Sequence, residues 1–389
     1  MDRLQNSKTF STQSKLLSTP SNKSGKPWVV ALIATCALRL VYSILGALIA
    51  PHLKLDPALV RSNDFTEHLM TPADGWSYRL LGVWERFDTL WYIHIAEHGY
   101  DRPEAVVFFP LYPLFIKSLS PLLHSSLIAS LLISTISTFF LVWGFQKLLD
   151  LDLPNETARR VLILFAVWPS SFILFAGYPE SLLIALMIWS VYFARGGRWL
   201  WAGLLGLLAG LTKAVGVCVV IPLAIIAWRK KSWRSLPAAL CLLSPLIVAA
   251  IIKFSGHQLA SGAYPKHWKT EVASPWTTLF AAIHQSLTTF DALLILNLTA
   301  LGVIFIPAFI KRFRLEYTLF ALATLVLFLT KKTDPLLQSA SRYSMEVFPA
   351  FASLASVLKH PFLFALSLFL MALLNLILVW SFFEWALVV

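Results

Sequence analysis

The stretch WERFDTLWYIHIAEHGYD, residues 84–101, gathers acidic and aromatic side chains within an otherwise apolar chain. It holds four carboxylates and two histidines, whereas only 13% of the whole chain is charged. Neither glycine nor proline interrupts it before Gly99, which predicts a short helix that stops there. On such a helix Glu85, Asp88 and Tyr92 would share one face.

A carboxylate held at the membrane surface beside a cavity could serve as a general base. Such a base must reach the proton that it removes, and partial burial raises its pKa. Tryptophan and tyrosine favour the water–lipid boundary, so this segment predicts a helix that lies at the outer membrane surface with Asp88 near the interface. A solvated loop with scattered acids explains the spacing equally well.

The same segment contains His94, Glu97 and His98 in the order H-x-x-E-H, a zinc peptidase pattern. Five-residue patterns arise easily by chance, and a zinc site would need a further acidic ligand that the later segments do not offer. We therefore expect no metal site and no cofactor, and a divalent cation requirement stays open. Interfacial contact, or orientation of a substrate, is the expected role of His98 and Tyr92.

The rest of the chain must place these residues in a membrane. Mean hydropathy is +0.71, and a soluble domain carries about 25% charged residues. Apolar runs near the length needed to cross a bilayer recur from Trp28 onward. The sequence therefore predicts an all-α polytopic membrane protein. Residues 1–27 are polar and predict a disordered cytoplasmic tail, and residues 28–389 predict one membrane domain.

About eleven membrane helices are expected, with the first one uncleaved. They cover residues 28–50, 126–148, 160–176, 180–195, 199–212, 214–228, 235–253, 289–310, 315–331, 343–358 and 361–383.

The net charge of +12 comes mostly from basic residues between apolar runs, where they set topology and predict no nucleic-acid partner. Placing these residues in the cytoplasm requires two features. Residues 108–126, interrupted by prolines, must be a broken or surface-lying segment, and residues 199–228 must be two short helices that meet at Thr212–Lys213. The outer face then carries a long first loop, 51–125, with interfacial helices, and a second loop, 254–288.

Four segments resemble, in chain order, the motifs of the PIG-V family of mannosyltransferases, which are integral-membrane glycosyltransferases of the GT-C class. They are FDTLWYIHIAEHGYD followed by FFPLYPLF, then PSSFILFAGYPESLLIAL, AGLTKAVGV and SRYSMEVFPAF. The chain departs from the family at Phe87–Asp88, where eukaryotic members usually carry W-D. Its second outer loop, GAYPKHWKTEVASPW, matches only loosely, which leaves the acceptor open.

The resemblance implies a GT-C-like fold and a polyprenyl- or dolichyl-phosphate mannose donor that is used on the non-cytoplasmic face. It implies a glycolipid or glycan acceptor. The departures favour a bacterial plasma membrane over the endoplasmic reticulum membrane.

The chemistry of such a donor predicts roles for the polar residues. Its phosphate leaving group is already acidic, so one base and no general acid is needed, unlike glycoside hydrolysis. Asp88 is the first choice for this base and Glu85 the second. Lys213 and Arg342, at predicted outer helix ends, would stabilise the phosphate charge, and Tyr343 could add a hydroxyl.

Each binding assignment has a structural alternative. Lys213 could extend to the interface, and Arg342 could pair with Asp334 or Glu346. Glu180 could cap its helix or contact sugar hydroxyls. Part of the second outer loop could line an acceptor cleft or form a solvated loop: Lys266, His267, Trp268 and Lys269.

A lipid or solute transporter, or flippase, is the alternative function, and a non-catalytic scaffold subunit is a third. A transporter places ionisable groups near the midplane of several helices. Here only Arg39 is central and must face protein.

Overall fold

The computed structural model describes residues 26–61, 63–231, 233–257, 268–310 and 314–386. The predicted disordered tail lies outside these residues apart from its last two positions, and Lys266 and His267 also lie outside them. Regular structure in the described part is helical, apart from one two-stranded antiparallel sheet.

The helices of the amino-terminal half follow one another with short connections. They are α1 (Pro27–Ile49), α2 (Pro57–Arg61), α3 (Trp76–Leu80), α4 (Asp88–His98), α5 (Leu111–Leu123), α6 (Ser126–Leu149), α7 (Asn155–Ala166), α8 (Glu180–Arg195), α9 (Trp199–Thr212), α10 (Val220–Lys230) and α11 (Ser244–Phe254).

The carboxyl-terminal half begins with a strand and contains the partner strand of the small sheet. Its elements are β1 (Thr270–Val272), α12 (Pro275–Thr289), α13 (Ala292–Ile310), α14 (Leu315–Leu329), β2 (Lys331–Thr333), α15 (Ala340–Tyr343), α16 (Ala350–Val357) and α17 (Pro361–Phe383). In the sheet, Thr270 lies opposite Thr333 and Val272 lies opposite Lys331.

Five helical segments of the described chain are long and apolar enough to cross a membrane. They are Pro27–His52, Ser126–Leu149, Trp233–Phe254, Ala292–Ile310 and Pro361–Phe383. Shorter apolar helices accompany them at α5, α9 and α14. The chain is thus a multi-pass integral membrane protein whose described part is almost entirely helical in its regular structure. The predicted count of eleven spans is not confirmed, because several predicted spans are short or interrupted helices.

The predicted break between two short helices at Lys213 is confirmed. Helix α9 ends at Thr212, Lys213 is extended with φ −164° and ψ 150°, and a 3₁₀ segment begins at Ala214. The returning chain packs closely on α9, because a Cβ atom on Gly216 would lie 2.2 Å from the carbonyl oxygen of Ala209. Glycine permits this approach, so the chain can reverse and aim Lys213 into the protein.

The first loop differs from its prediction in two places. The proline-containing segment, predicted to be broken or surface-lying, is not broken: it forms the continuous helix α5, with Tyr112 and Ile116 fully buried and Leu114 and Leu122 exposed. The acidic segment is not one helix from residue 84 to residue 98, because α4 begins only at Asp88. Glu85 belongs to the preceding turn, so the expectation that Glu85 and Asp88 share a helical face is wrong.

The end of α17 packs against the turn that precedes α4. The ring of Trp84 makes an edge contact with Phe383, with centroids 5.2 Å apart, and Phe87 contacts Phe382 and Trp385. Burial of such aromatic rings is among the largest single apolar contributions to stability. The carboxyl-terminal helix therefore holds the start of α4 in place.

Candidate active site

Three charged residues of the site stand at helix ends where the helix dipole favours their charge. Asp88 is the first residue of α4 and Glu180 the first of α8, and Lys213 directly follows the last residue of α9. Helix amino termini stabilise carboxylates and carboxyl termini stabilise cations. The dipole thus offsets part of the cost of placing these charges within an apolar protein.

Arg342 joins two of these helix ends. Its Nη1 atom donates to Oδ2 of Asp88 at 2.8 Å, and its Nε atom lies 3.3 Å from Oε1 of Glu180. Its side chain is 6% exposed, so these contacts are largely shielded from water. The expectation that Arg342 pairs with Asp334 or Glu346 is wrong, because α15 turns its guanidinium toward the starts of α4 and α8.

Lys213 lies between two buried carboxylates instead of extending to the interface. Its Nζ atom donates to Oε1 of Glu180 at 2.8 Å and to Oε1 of Glu346 at 2.6 Å. It also lies 4.0 Å from the centroid of the Tyr343 ring. Three carboxylates and two cations thus form one network, which leaves no carboxylate in it without a cation.

The network lines one side of a cavity of about 500 Å³. The cavity is lined by Asp88, Glu180, Lys213, Arg342 and Tyr343. The rest of the lining includes aromatic and polar residues: Trp91, Tyr92, Phe108, Trp268, Lys269, Phe328, Lys331 and Asp334. A volume of this order suits a small-molecule site with a few convergent polar groups.

Asp88 has the geometry that a base needs. Its side chain is 26% exposed, and the Arg342 contact is made by Oδ2. Oδ1 takes no part in this contact and belongs to a residue of the cavity wall. Arg342 also donates to the Tyr343 hydroxyl at 2.9 Å through Nη2, which fixes the plane of the guanidinium and hence the orientation of the carboxylate.

A strained residue and a buried arginine position Asp88. Phe87 has φ 48° and ψ −120°, a conformation that costs a bulky residue free energy and persists only where surrounding contacts hold it. Arg86 supplies such contacts by donating to the carbonyl oxygens of Phe383 and Gly82, at 3.1 and 2.9 Å. Burial lowers the pKa of Arg86 to about 10, which still leaves it charged at neutral pH.

The structure does not bring Glu85 to the cavity. Its Oε2 atom accepts a hydrogen bond from the backbone nitrogen of Met70 at 2.9 Å, and burial raises the pKa of this carboxyl. Glu85 therefore stabilises the preceding segment of the loop and is not among the residues that line the cavity.

Glu85→Gln should retain transfer activity within about fivefold, rather than show the 10²–10⁴-fold loss expected for removal of a general base. The amide oxygen can still accept the hydrogen bond from Met70. Initial rates in membranes, normalised to protein amount, test this expectation. A loss as large as that of an Asp88 variant would make Glu85 the base.

Tyr92 and His98 take different positions. Tyr92 is 4% exposed, lines the cavity and packs against Tyr112 with ring centroids 5.1 Å apart. His98 is exposed and stacks on His94 away from the cavity. His94 bonds to Asp101 at 2.8 Å, and Glu97 accepts from Ser126. His94 and Glu97 of the H-x-x-E-H pattern thus bond to residues outside the pattern, and His98 stacks on His94.

Three further residues named from the sequence take defined positions. Of the proposed acceptor-cleft residues, Trp268 and Lys269 line the cavity. Arg39 faces protein, as a charge inside a membrane helix must. It donates to the carbonyl oxygen of Phe175 at 2.8 Å and lies 5.5 Å from the centroid of the Trp84 ring.

Gly177 allows the starts of α4 and α8 to meet. A Cβ atom at this position would lie 2.5 Å from Cγ2 of Thr89, the residue after Asp88. Thr89 is fully buried, so it has little room to move.

Gly177→Ala should destabilise the protein by about 1–3 kcal/mol through overpacking, and it should also lower activity by moving α4. Gly302→Ala is the matched control, because its Cβ atom would meet its nearest neighbour at an ordinary 3.7 Å. The thermal unfolding midpoints of the two purified variants measure the effect on stability. An unchanged unfolding midpoint for Gly177→Ala would show that the segments at Gly177 and Thr89 are less tightly packed than the structure indicates.

Arg86 is absent from the residues predicted for the site, and Glu346 was predicted only as a possible ion-pair partner of Arg342. Arg86 is 1% exposed and Glu346 is 2% exposed. Both lie beside the motif residues, in E-R-F-D and R-Y-S-M-E. A charged residue beside a motif residue in an apolar chain was the signal that could have found them.

Known proteins resemble the part of the chain that contains Asp88, Glu180 and Lys213. Residues 38–231 match the family model described as Mannosyltransferase (PIG-V). The mouse (Mus musculus) protein GPI alpha-1,6-mannosyltransferase 2 is 30% identical over 149 residues, which make up 36% of this chain and 30% of that protein. The chain thus spans less than a third of this curated relative. No solved structure matches the chain significantly.

The family match contains Asp88, Glu180 and Lys213, and Arg342 joins them from beyond its end. Over residues 38–231, the chain belongs to the mannosyltransferase (PIG-V) family.

Proposed function

We propose that this protein is an inverting mannosyltransferase that takes its sugar from a polyprenyl- or dolichyl-phosphate donor and transfers it to a glycolipid or glycan. The observation that carries the proposal is the ion network of Asp88, Arg342, Glu180, Lys213 and Glu346 beside a cavity. Family membership supports the same reaction class.

Asp88 is the base in this proposal. The acceptor hydroxyl oxygen forms a bond to the anomeric carbon while its proton passes to Oδ1 of Asp88. The bond between the anomeric carbon and the phosphate oxygen breaks, and the phosphate leaves with the bonding electrons. A single displacement inverts the anomeric centre. Positioned base catalysis of this kind contributes about 10²–10⁴-fold.

Lys213 and Arg342 stabilise the charge of the leaving phosphate, and the Tyr343 hydroxyl donates a further hydrogen bond. Fixed cations in a water-poor site contribute several kcal/mol to a transition state that gains negative charge. Glu180 holds both cations in place and can accept from sugar hydroxyls. Tyr92 supplies an aromatic wall, and His98 contacts the membrane interface rather than the sugar.

The proposed architecture is one GT-C-like membrane domain, residues 28–389, with the cavity on the non-cytoplasmic side and the amino terminus in the cytoplasm. The distribution of basic residues supports this orientation. A bacterial plasma membrane is the proposed location, and the endoplasmic reticulum is the alternative. Reporter fusions at the amino terminus and in the first loop test the orientation.

A transporter without glycosyl transfer is less well supported. The charged residues of the cavity lie at helix ends and pair with one another, whereas transporters gather their ion and substrate sites at the midplane of discontinuous helices. Family membership also favours the transferase.

Membranes from cells that express the chain test the reaction class. They receive polyprenyl-phosphate mannose or GDP-mannose, each radiolabelled, with an endogenous glycolipid pool as acceptor. We expect a radiolabelled product that is chromatographically distinct from the donor, formed only from the lipid-linked donor and at a rate above vector membranes. Transfer from the nucleotide sugar alone, or from neither donor, would contradict the proposal.

A further inference from the structure

A second ion network lies at the far ends of the helices that carry the candidate active site. Helix α8 begins at Glu180, in the active-site network, and ends at Arg195. At a rise of about 1.5 Å per residue, these two positions are about 22 Å apart. Helix α14 begins after Arg314 and reaches the cavity wall near its other end, at Phe328. The second network is therefore separate from the candidate active site and lies toward the opposite end of the protein.

Two carboxylates hold the second network together. Asp152, in the turn after α6, accepts two hydrogen bonds from Arg195 and one from Arg314, each at 2.8 Å. Glu316 is fully buried and pairs with Arg314 and with Arg229, the latter at 2.7 Å. These charge-assisted contacts join the ends of α8 and α10 to the start of α14, so the arginines keep fixed positions.

Basic residues outnumber the carboxylates in this region. Lys230 donates to the carbonyl oxygens of Ala194 and Arg195, at 3.2 and 2.6 Å, which brings the end of α10 onto the end of α8. Around the two carboxylates Asp152 and Glu316 lie six residues that we call the basic cluster: Arg195, Arg198, Arg229, Lys230, Lys231 and Arg314. Six cations and two carboxylates leave an excess of four positive charges.

The excess charge is accessible from outside the protein. Arg198, Arg229, Lys230 and Lys231 are all exposed. Gly197, next to Arg198, lies close to Lys230, because a Cβ atom at this glycine would be 3.7 Å from the Nζ atom. An anion that approaches this surface therefore meets several cations from two helix ends at once.

Exposed tryptophans flank the basic cluster. Trp228 and Trp233, on either side of Lys231 in the chain, are 73% and 78% exposed, and Trp201, after Arg198, is 57% exposed. Tryptophan is enriched where the lipid headgroups lie, and such exposed aromatic side chains call for a partner that is partly apolar. The basic cluster thus lies at the level of the headgroups, where lipid phosphate is the abundant anion.

We propose that the basic cluster binds the headgroup of an anionic phospholipid. Basic residues gathered at the ends of membrane helices recognise such headgroups. The tendency of basic residues to lie on one membrane face explains their presence, but it does not require the ion pairs that hold them together here. A lipid is favoured over free phosphate because of the exposed tryptophans. The proposal is independent of the transfer reaction.

Native mass spectrometry of the full chain in detergent micelles, titrated with lipid, tests the site. The wild type should bind phosphatidylglycerol at least about tenfold more tightly than phosphatidylcholine, which has no net charge. Arg198→Gln/Lys231→Gln should weaken phosphatidylglycerol binding at least about fivefold, since each cation near a headgroup contributes roughly that factor. This variant keeps the arginines that pair with Asp152 and Glu316, so the fold should persist.

Lys117→Gln/Lys253→Gln is the matched control. It removes the same charge from exposed residues of α5 and α11, outside the basic cluster, and should leave phosphatidylglycerol binding unchanged. Arg198→Lys/Lys231→Arg keeps the charge of the cluster and should bind phosphatidylglycerol like the wild type. Retained binding in this variant shows that the loss in the glutamine variant comes from charge.

Three results would overturn the proposal. Equal loss of phosphatidylglycerol binding in the two glutamine double variants would show a general effect of net charge. Equal binding of phosphatidylglycerol and phosphatidylcholine by the wild type would show that the cluster recognises no anionic headgroup. Displacement of phosphatidylglycerol by an equal concentration of glycerol phosphate would assign the cluster to a free phosphate ester instead of a lipid.

Discussion

Asp88→Asn should lower mannosyl transfer by about 10²–10⁴-fold, the usual contribution of a positioned base. The amide keeps the size of the side chain but cannot take the acceptor proton. Arg342 retains its contact with Glu180 in this variant, so we expect the folded protein to persist. Initial rates at saturating donor, together with the thermal unfolding midpoint, separate the loss of chemistry from a loss of fold.

Asp101→Asn is the matched control for this substitution. Asp101 belongs to the same acidic segment, is 43% exposed, and pairs with His94 outside the cavity. Its loss should change the rate by no more than about twofold, since exposed pairs contribute little. Similar activity of Asp88→Asn and wild type would remove Asp88 from the mechanism.

Lys213→Met should have the largest effect on stability, lowering the free energy of unfolding by about 3–5 kcal/mol. Removal of one partner from a buried ion pair leaves uncompensated charge behind, and here Glu180 and Glu346 would both lose their contact with the ammonium group. Transfer activity should fall as well, because the phosphate loses a cation. Yield and thermal unfolding in detergent measure the first effect, and activity per folded molecule measures the second.

The double variant Lys213→Met/Glu346→Gln distinguishes the two roles of the lysine. Glu180 keeps its contact with Arg342 in the single variant, whereas Glu346 loses its cation. Neutralising Glu346 removes this unpaired charge, so part of the stability should return while activity stays low. Lys253→Met is the control, since Lys253 is exposed in α11 and should change stability by no more than about 0.5 kcal/mol. Recovery of full activity in the double variant would show that Lys213 serves only to neutralise carboxylates.

The positions of the charged site residues could be predicted because a charge in an apolar chain is informative. Burying an isolated charge is costly, so Lys213 and Arg342 had to lie at helix ends or face partners. The break at Lys213 could likewise be predicted, because an unbroken span would have put the following basic cluster on the wrong side of the membrane.

The pairing of these residues could not be predicted from local patterns. Asp88 and Arg342 lie 254 residues apart in the chain, and their contact depends on how α4, α8 and α15 pack. The start of α4 was predicted too early for a local reason. Phe87 adopts a positive φ that a bulky residue normally avoids, and contacts with α17 outweigh this preference.

A cryo-EM structure of the protein in nanodiscs with a non-hydrolysable polyprenyl-phosphonate mannose tests the central claim most directly. We expect the phosphonate to contact Lys213 and Arg342. The anomeric carbon should face the cavity close enough to Asp88 for a bridging acceptor hydroxyl, with reacting atoms about 3–3.5 Å apart. Donor density outside this cavity, or a sugar separated from Asp88 by protein, would contradict the claim.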